Sequence, residues 1–131
     1  MITLDIMTSQ REDMIDISAL IRRTVRDTGI ARGIAYLHVP HTTSAITINE
    51  NADPDVVHDL LLGLRRIAQR DAGYRHAEGN SDAHIKSSLL GVDQTLLIED
   101  GEPVLGTWQG IYFCEFDGPR RRKLHIRIVA A

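Results

Sequence analysis

Six histidines occur in the 131 residues, and three of them stand where the chain has reason to turn. His41 directly follows Pro40, and His76 and His84 bracket the run HAEGNSDAH, with Glu78 and Asp82 inside it. Imidazole and carboxylate together suit a borderline divalent ion. Three protein ligands with a fourth position open is the catalytic zinc arrangement. His41, His76 and His84 are therefore the candidate metal ligands, and His76, Glu78 and His84 the candidate catalytic groups. Their spacings match no established ligand motif, and the competing reading is that they cap turns or stack in loops. His38 and His125 alternate within strand-like runs and His58 falls in a helical one, so these three read as structural or surface residues.

A second chemistry is available at the start of the helix that carries His84. The first turn of a helix leaves backbone amides unpaired at the positive end of its dipole, which suits a phosphate or carboxylate. Asn80, Lys86 and Ser87 are the candidate anion-binding residues there, and Gly79 permits close approach of the backbone. The plainer alternative is that Asn80 or Ser81 caps the helix and Lys86 points to water. In Gly106-Thr107-Trp108-Gln109-Gly110, Trp108 is either a packing anchor or a stacking platform, with Gln109 beside it able to orient a ring. Glu115 shares the strand face of Ile111 and Phe113, where a carboxylate must meet a cation or act in a site. The cluster Arg120–Lys123 reads as a solvated strand edge, with anion binding by Arg120 as the alternative. Cys114, on the opposite face from Glu115, reads as a small core residue.

The elements that must position these groups follow from periodicity. Ile2, Leu4 and Ile6 alternate as an opening strand. Asp16 caps a helix with Ile17, Leu20, Ile21 and Val25 on its apolar face, and Gly29 stops it. Gly33–Val39 and Ser44–Asn49 have strand composition, interrupted at Pro40. Asp53-Pro54 opens a second helix whose stripe Val57, Leu60, Leu61, Leu64, Ile67 and Ala68 continues to about Arg70. A polar loop, Asp71–Ser81, leads to a short helix from about Asp82 to Leu90, ended by Gly91. Gln94–Glu99, Val104–Asp117 and Arg120–Val129 read as strands, with turns at Asp100-Gly101 and Asp117-Gly118-Pro119. Short turns between strands favour antiparallel pairing. The expectation is one α+β domain over residues 1–131, a largely antiparallel sheet or sandwich with two main helices and one short one.

Composition narrows the setting. Hydrophobic content of 43% and charged content of 25% are those of a globular chain, and the length suits one core. A net charge of −3 gives no support to nucleic-acid or acidic-membrane binding. A single cysteine excludes an internal disulfide framework and fits a reducing compartment, so a cytoplasmic location is expected. No basic, apolar leader opens the chain, and no run approaches the roughly 20 apolar residues of a membrane span. The GxxxxGK[ST], GxSxG, HExxH and CxxC signatures are missing.

Three segments, HTTSAITINENADPDVVHDL, YRHAEGNSDAHIKSSLLG and LGTWQGIYFCEFDGPRRR, closely resemble the YjbQ-like family over nearly the whole chain. The resemblance implies an α+β fold assembled as a homotrimer and a secondary thiamine-phosphate synthase activity. That activity joins hydroxymethylpyrimidine diphosphate to a thiazole phosphate and releases pyrophosphate. On the matching segments it points to His41, His76 with Glu78 and Asn80, and His84 with Lys86. Asp93 and Pro103 depart from the family's usual serine and apolar residue, putting charge near an anion surface and weakening a strand before Trp108. A zinc or magnesium ion would neutralise leaving-group charge, with Trp108 or Tyr74 stacked on the pyrimidine. Zinc suits three histidines, whereas pyrophosphate departure suits magnesium and carboxylates. Two alternatives use the same residues: a non-catalytic trimer that captures a small anionic metabolite, and a metal-dependent hydrolase.

Overall fold

A computed structural model describes all residues from Met1 to Ala131. Eight strands and three helices follow the order β1 (Ile2–Met7), β2 (Asp13–Asp16), α1 (Ser18–Thr28), β3 (Gly33–His38), β4 (Ser44–Glu50), α2 (Pro54–Ile67), α3 (Ser81–Leu90), β5 (Asp93–Glu99), β6 (Glu102–Pro103), β7 (Gln109–Glu115) and β8 (Arg121–Ala130). They form a five-stranded sheet, β1-β8-β3-β5-β6, and a three-stranded sheet, β2-β7-β4. Every pairing is antiparallel. The α+β class is as expected.

Alternation along β7 decides how the two sheets share their apolar residues. Ile111 and Phe113 face the main core, with Leu37, Ile46, Ile98, Leu124 and Ile126 from both sheets and Ile21 and Val25 from α1. Tyr112 and Cys114 face the other way, into a smaller cluster with Met14, Ala45 and Leu61, against which Val57, Leu60 and Leu64 of α2 pack. β7 is therefore buried on both faces, which is why its sequence reads as a continuous apolar run. Cys114 is a core residue there, and burial pushes its thiol up to about 12.

Local signals fixed most boundaries. The Asp16 carboxylate accepts the Ser18 amide at 2.9 Å at the head of α1, and Gly29 ends the helix at a left-handed φ of 71°. Asp53 caps α2 through the Asp55 amide. Two expectations need correction. The strand expected over Val104–Asp117 is broken: Gly106 to Trp108 make a turn in which the Gln109 side chain accepts the Gly106 amide at 2.7 Å. Pro103 lies in the strand before Trp108, the two-residue edge strand β6, opposite Ile98, where a missing amide is tolerated. Strand β2 gave no periodic signal, since four residues are too few to alternate legibly. The stripe of α2 also ends sooner than expected, with Ile67 exposed.

Candidate functional site

The last strand opens with three consecutive cationic residues, Arg121, Arg122 and Lys123, and the pleat sends them to opposite faces. Arg121 and Lys123 reach outward to Asp5 of β1 at 3.1 and 3.0 Å. Arg122 turns inward and is 2% exposed. Its guanidinium meets Glu115, itself 0% exposed, through Nε at 2.9 and 3.1 Å and through Nη2. Nη2 also donates to the Thr43 carbonyl at 3.2 Å and to the Thr43 hydroxyl at 2.8 Å. Glu115 is further held by the Thr8 hydroxyl at 2.7 Å and by the amides of Phe116 and Asp117. The carboxylate that had to meet a cation does so, and its partner Arg122 lines a cleft.

The cleft occupies about 360 Å³ and none of its ten lining residues is hydrophobic. Its walls are the β3–β4 connection with His41, Thr42 and Thr43, the approach to α3 with Glu78, Asn80 and His84, and the β7–β8 turn with Asp117 and Arg120. Arg120 is tied to Asp117 at 3.1 Å, and Asn80 donates to the same carboxylate at 2.9 Å. The Asn80 side-chain oxygen, Oδ1, is enclosed without a partner.

His41 stands just past the end of β3, where β8 has run out of a backbone neighbour on that side. The Lys123 amide donates to its Nε2 at 2.9 Å, so the imidazole continues the ladder. An acceptor at Nε2 places the ring proton on Nδ1. Burial and the nearby Arg122 charge hold His41 below its ordinary value of 6.5, favouring this neutral form. His84 lines the same cleft and two adjoining depressions, one with Ser87 and Ser88 and one with Tyr74 and His76. The His76 and His84 rings meet edge to face at 5.5 Å between centroids.

The structure sorts the expected site residues into two groups. His41, Glu78, Asn80 and His84 come together in the cleft, while His76 lies outside it, against the His84 ring and 3.7 Å from the Glu78 carboxylate, and Ser87 reaches an adjoining depression and donates to the Ser44 carbonyl. Lys86 does not hold an anion and does not point to water. It is 1% exposed and its ammonium is taken by Asp82 at 3.1 Å and Glu12 at 3.3 Å. Trp108 is 62% exposed at the start of β7, the end opposite Glu115, and is neither a packing anchor nor part of this cleft. Gln109 is likewise spent on its own turn. Asp93 pairs with His38 on the sheet surface, away from the cleft. Arg122 and Thr43 were missed. The signal for Arg122 was the alternation of β8, which sets it on the face of Leu124 and Ile126.

A resident metal does not fit this arrangement. No three His, Cys, Asp or Glu side chains converge as a ligand set, and the Lys123 amide already occupies His41 Nε2. The three-histidine zinc or magnesium site is thus not assembled within the chain.

The sequence matches the family described as UPF0047 protein YjbQ-like over residues 2–131. The chain belongs to that family. Among relatives, UPF0047 protein MJ1081 of Methanocaldococcus jannaschii is 52% identical, across 95% of this chain and 90% of that protein. UPF0047 protein YugU of Bacillus subtilis is 49% identical across 97% of both chains. A crystal structure of a YjbQ/UPF0047-family protein from Clostridium acetobutylicum superposes with a TM-score of 0.96 at 50% identity, covering 98% of this chain and all of that one. A YbjQ-like protein from Sulfolobus solfataricus keeps a TM-score of 0.93 at 28% identity, with 98% and 95% covered. The fold therefore survives wide divergence within the family.

Proposed function

We propose that the protein binds a small phosphorylated metabolite in this cleft, with His41 and His84 hydrogen-bonding its phosphoryl oxygens. The observation that carries the reading is the cleft's composition: two histidines and two arginines meet where no lining residue is hydrophobic. Such a lining offers nothing to an apolar ligand and several directed donors to an oxyanion. No helix is long and apolar enough to cross a membrane, and a cytoplasmic location suits a phosphorylated ligand and the lone thiol.

The synthase activity suggested by the family resemblance is a finer form of this reading. The diphosphate of a hydroxymethylpyrimidine diphosphate would lie in the cleft, with Tyr74 in the depression beside His84 facing the pyrimidine. The carbon–oxygen bond breaks with its electron pair leaving on pyrophosphate, and the thiazole nitrogen supplies the pair for the new carbon–nitrogen bond. The chain's part is to hold the departing group. A homotrimer is the assembly the family resemblance implies. The non-catalytic binder uses the cleft without the second substrate, and the metal-dependent hydrolase lacks a ligand set to support it.

Calorimetry with pyrophosphate, in buffer containing a chelator, tests the reading. Saturable binding that His84→Ala weakens at least about tenfold is expected. Absence of binding at millimolar pyrophosphate would refute it. A product assay with both phosphorylated substrates then separates transferase from binder, and light scattering reads the subunit number.

A further inference from the structure

Arg122 holds most of its donors in place and leaves one free. Nε and Nη2 account for every hydrogen bond it makes, to Glu115 and to Thr43. Nη1 has no partner. The polar side-chain atoms that are both enclosed and unpartnered in this protein are Ser44 Oγ and Asn80 Oδ1, so Nη1, also unpartnered, is not enclosed. Arg122 is 2% exposed, and the open space it borders is the cleft. One nitrogen of an otherwise buried guanidinium therefore looks into the proposed binding site.

We propose that Arg122 is the anchor of this cleft, its Nη1 donating to a phosphoryl oxygen while Glu115 and Thr43 fix the rest of the group. The inference rests on the phosphate-binding reading above and names the residue on which that reading turns. The Arg122 side chain is already ordered by five contacts, so binding loses none of the rotamer freedom a surface arginine would give up. Its charge is matched by Glu115 and that of Arg120 by Asp117, so the cleft recognises its ligand by directed donors more than by net charge. The donors also come from different walls: Arg122 Nη1 from β8, His41 Nδ1 from the β3–β4 connection and Arg120 from the β7–β8 turn. Convergence from three directions suits a tetrahedral phosphoryl group better than a planar carboxylate, which is best met by a coplanar fork.

The test compares orthophosphate, pyrophosphate and acetate by calorimetry on the wild type, Arg122→Lys and Arg121→Lys. Lysine at 122 can keep the charge opposite Glu115, but it has no third nitrogen to present. Expected are phosphate and pyrophosphate binding at least about tenfold tighter than acetate, a loss of at least about tenfold in Arg122→Lys, and a change of no more than about threefold in Arg121→Lys, whose side chain reaches outward to Asp5. Phosphate affinity unchanged in a folded Arg122→Lys protein would overturn the anchor and leave the phosphate-binding reading standing. No binding of either phosphate probe to the wild type would overturn both.

Should Arg122→Lys fail to fold, wild-type protein labelled with ¹⁵N-arginine decides the matter. Arg122 is the one buried arginine, so its guanidinium protons are the ones protected from exchange. Their signals should shift with orthophosphate and saturate with the calorimetric affinity. Signals that stay fixed while calorimetry records binding would place the anion elsewhere.

Discussion

Lys86 Nζ lies 3.1 Å from Asp82 Oδ2, one helical turn away on α3, and both side chains are enclosed by protein. Arg11 grips the other side of the same carboxylate at 3.1 and 3.2 Å, and Glu12 takes a second bond from Lys86 at 3.3 Å. Desolvation would raise the Asp82 carboxyl, but the Arg11 and Lys86 bonds outweigh it and hold the group below the carboxylate range. The loop between β1 and β2 is thereby fastened to the helix whose other face presents His84 to the cleft. Burying two charges stabilises a fold little in itself, but removing one partner strands the other.

Lys86→Met is accordingly expected to destabilise the protein by about 3 kcal/mol, the lower part of the range for breaking a buried pair, because Arg11 still attends Asp82. Urea denaturation measures this. Orthophosphate affinity of the folded variant should stay within about twofold, as Lys86 does not line the cleft. A tenfold loss would return Lys86 to the binding site.

The His41 environment sets a pH dependence. Its folded value lies below the ordinary 6.5, so the unfolded chain takes up a proton at a pH where the folded protein does not. The contribution to stability is complete above pH 6.5 and is lost as pH falls through the depressed folded value. Protonation also removes the acceptor at Nε2 from the Lys123 amide. An NMR titration should show the His41 ring and the Lys123 amide moving together below pH 6.5, and independent midpoints would refute the linkage. Bound phosphate should raise that shared midpoint.

Gly118 leaves no room for a side chain. A Cβ there would stand 2.3 Å from the Gln10 carbonyl oxygen, 2.8 Å from Glu115 Cγ and 2.9 Å from the Thr8 hydroxyl. Gly118→Ala should therefore cost about 1–3 kcal/mol of stability and, by displacing Glu115, weaken orthophosphate binding as well. Thermal unfolding with and without phosphate checks both effects, and a variant as stable as wild type would contradict the packing described.

Trp108 closes the turn that leads into β7, at the end of that strand far from the cleft. Trp108→Ala should leave orthophosphate affinity within about twofold by calorimetry. A larger loss would mean that a second copy brings its Trp108 to the cleft, and light scattering on the same variant would show whether assembly changed too.

Sequence alone determined most of the elements and one half of the candidate site. Asp53-Pro54, Gly29 and the two alternating faces of β7 act through neighbours a few residues away, so periodicity and capping chemistry suffice to read them. The same holds for His84 and Asn80, which share one turn at the start of α3. Glu115 was legible as a question, because an ionised group on the face of Ile111 and Phe113 has to be matched. Its answer lay in β8, which pairs with β1 and β3 and not with β7. Only the packing of one sheet on the other brings Arg122 to Glu115. Lys86 was misread for the same reason. A helix position near a candidate anion site looks available until the loop carrying Arg11 and Glu12, more than seventy residues earlier, folds over it. What the tertiary structure decided is which charges are used up in holding the fold and which one, at Arg122, keeps a nitrogen to spare.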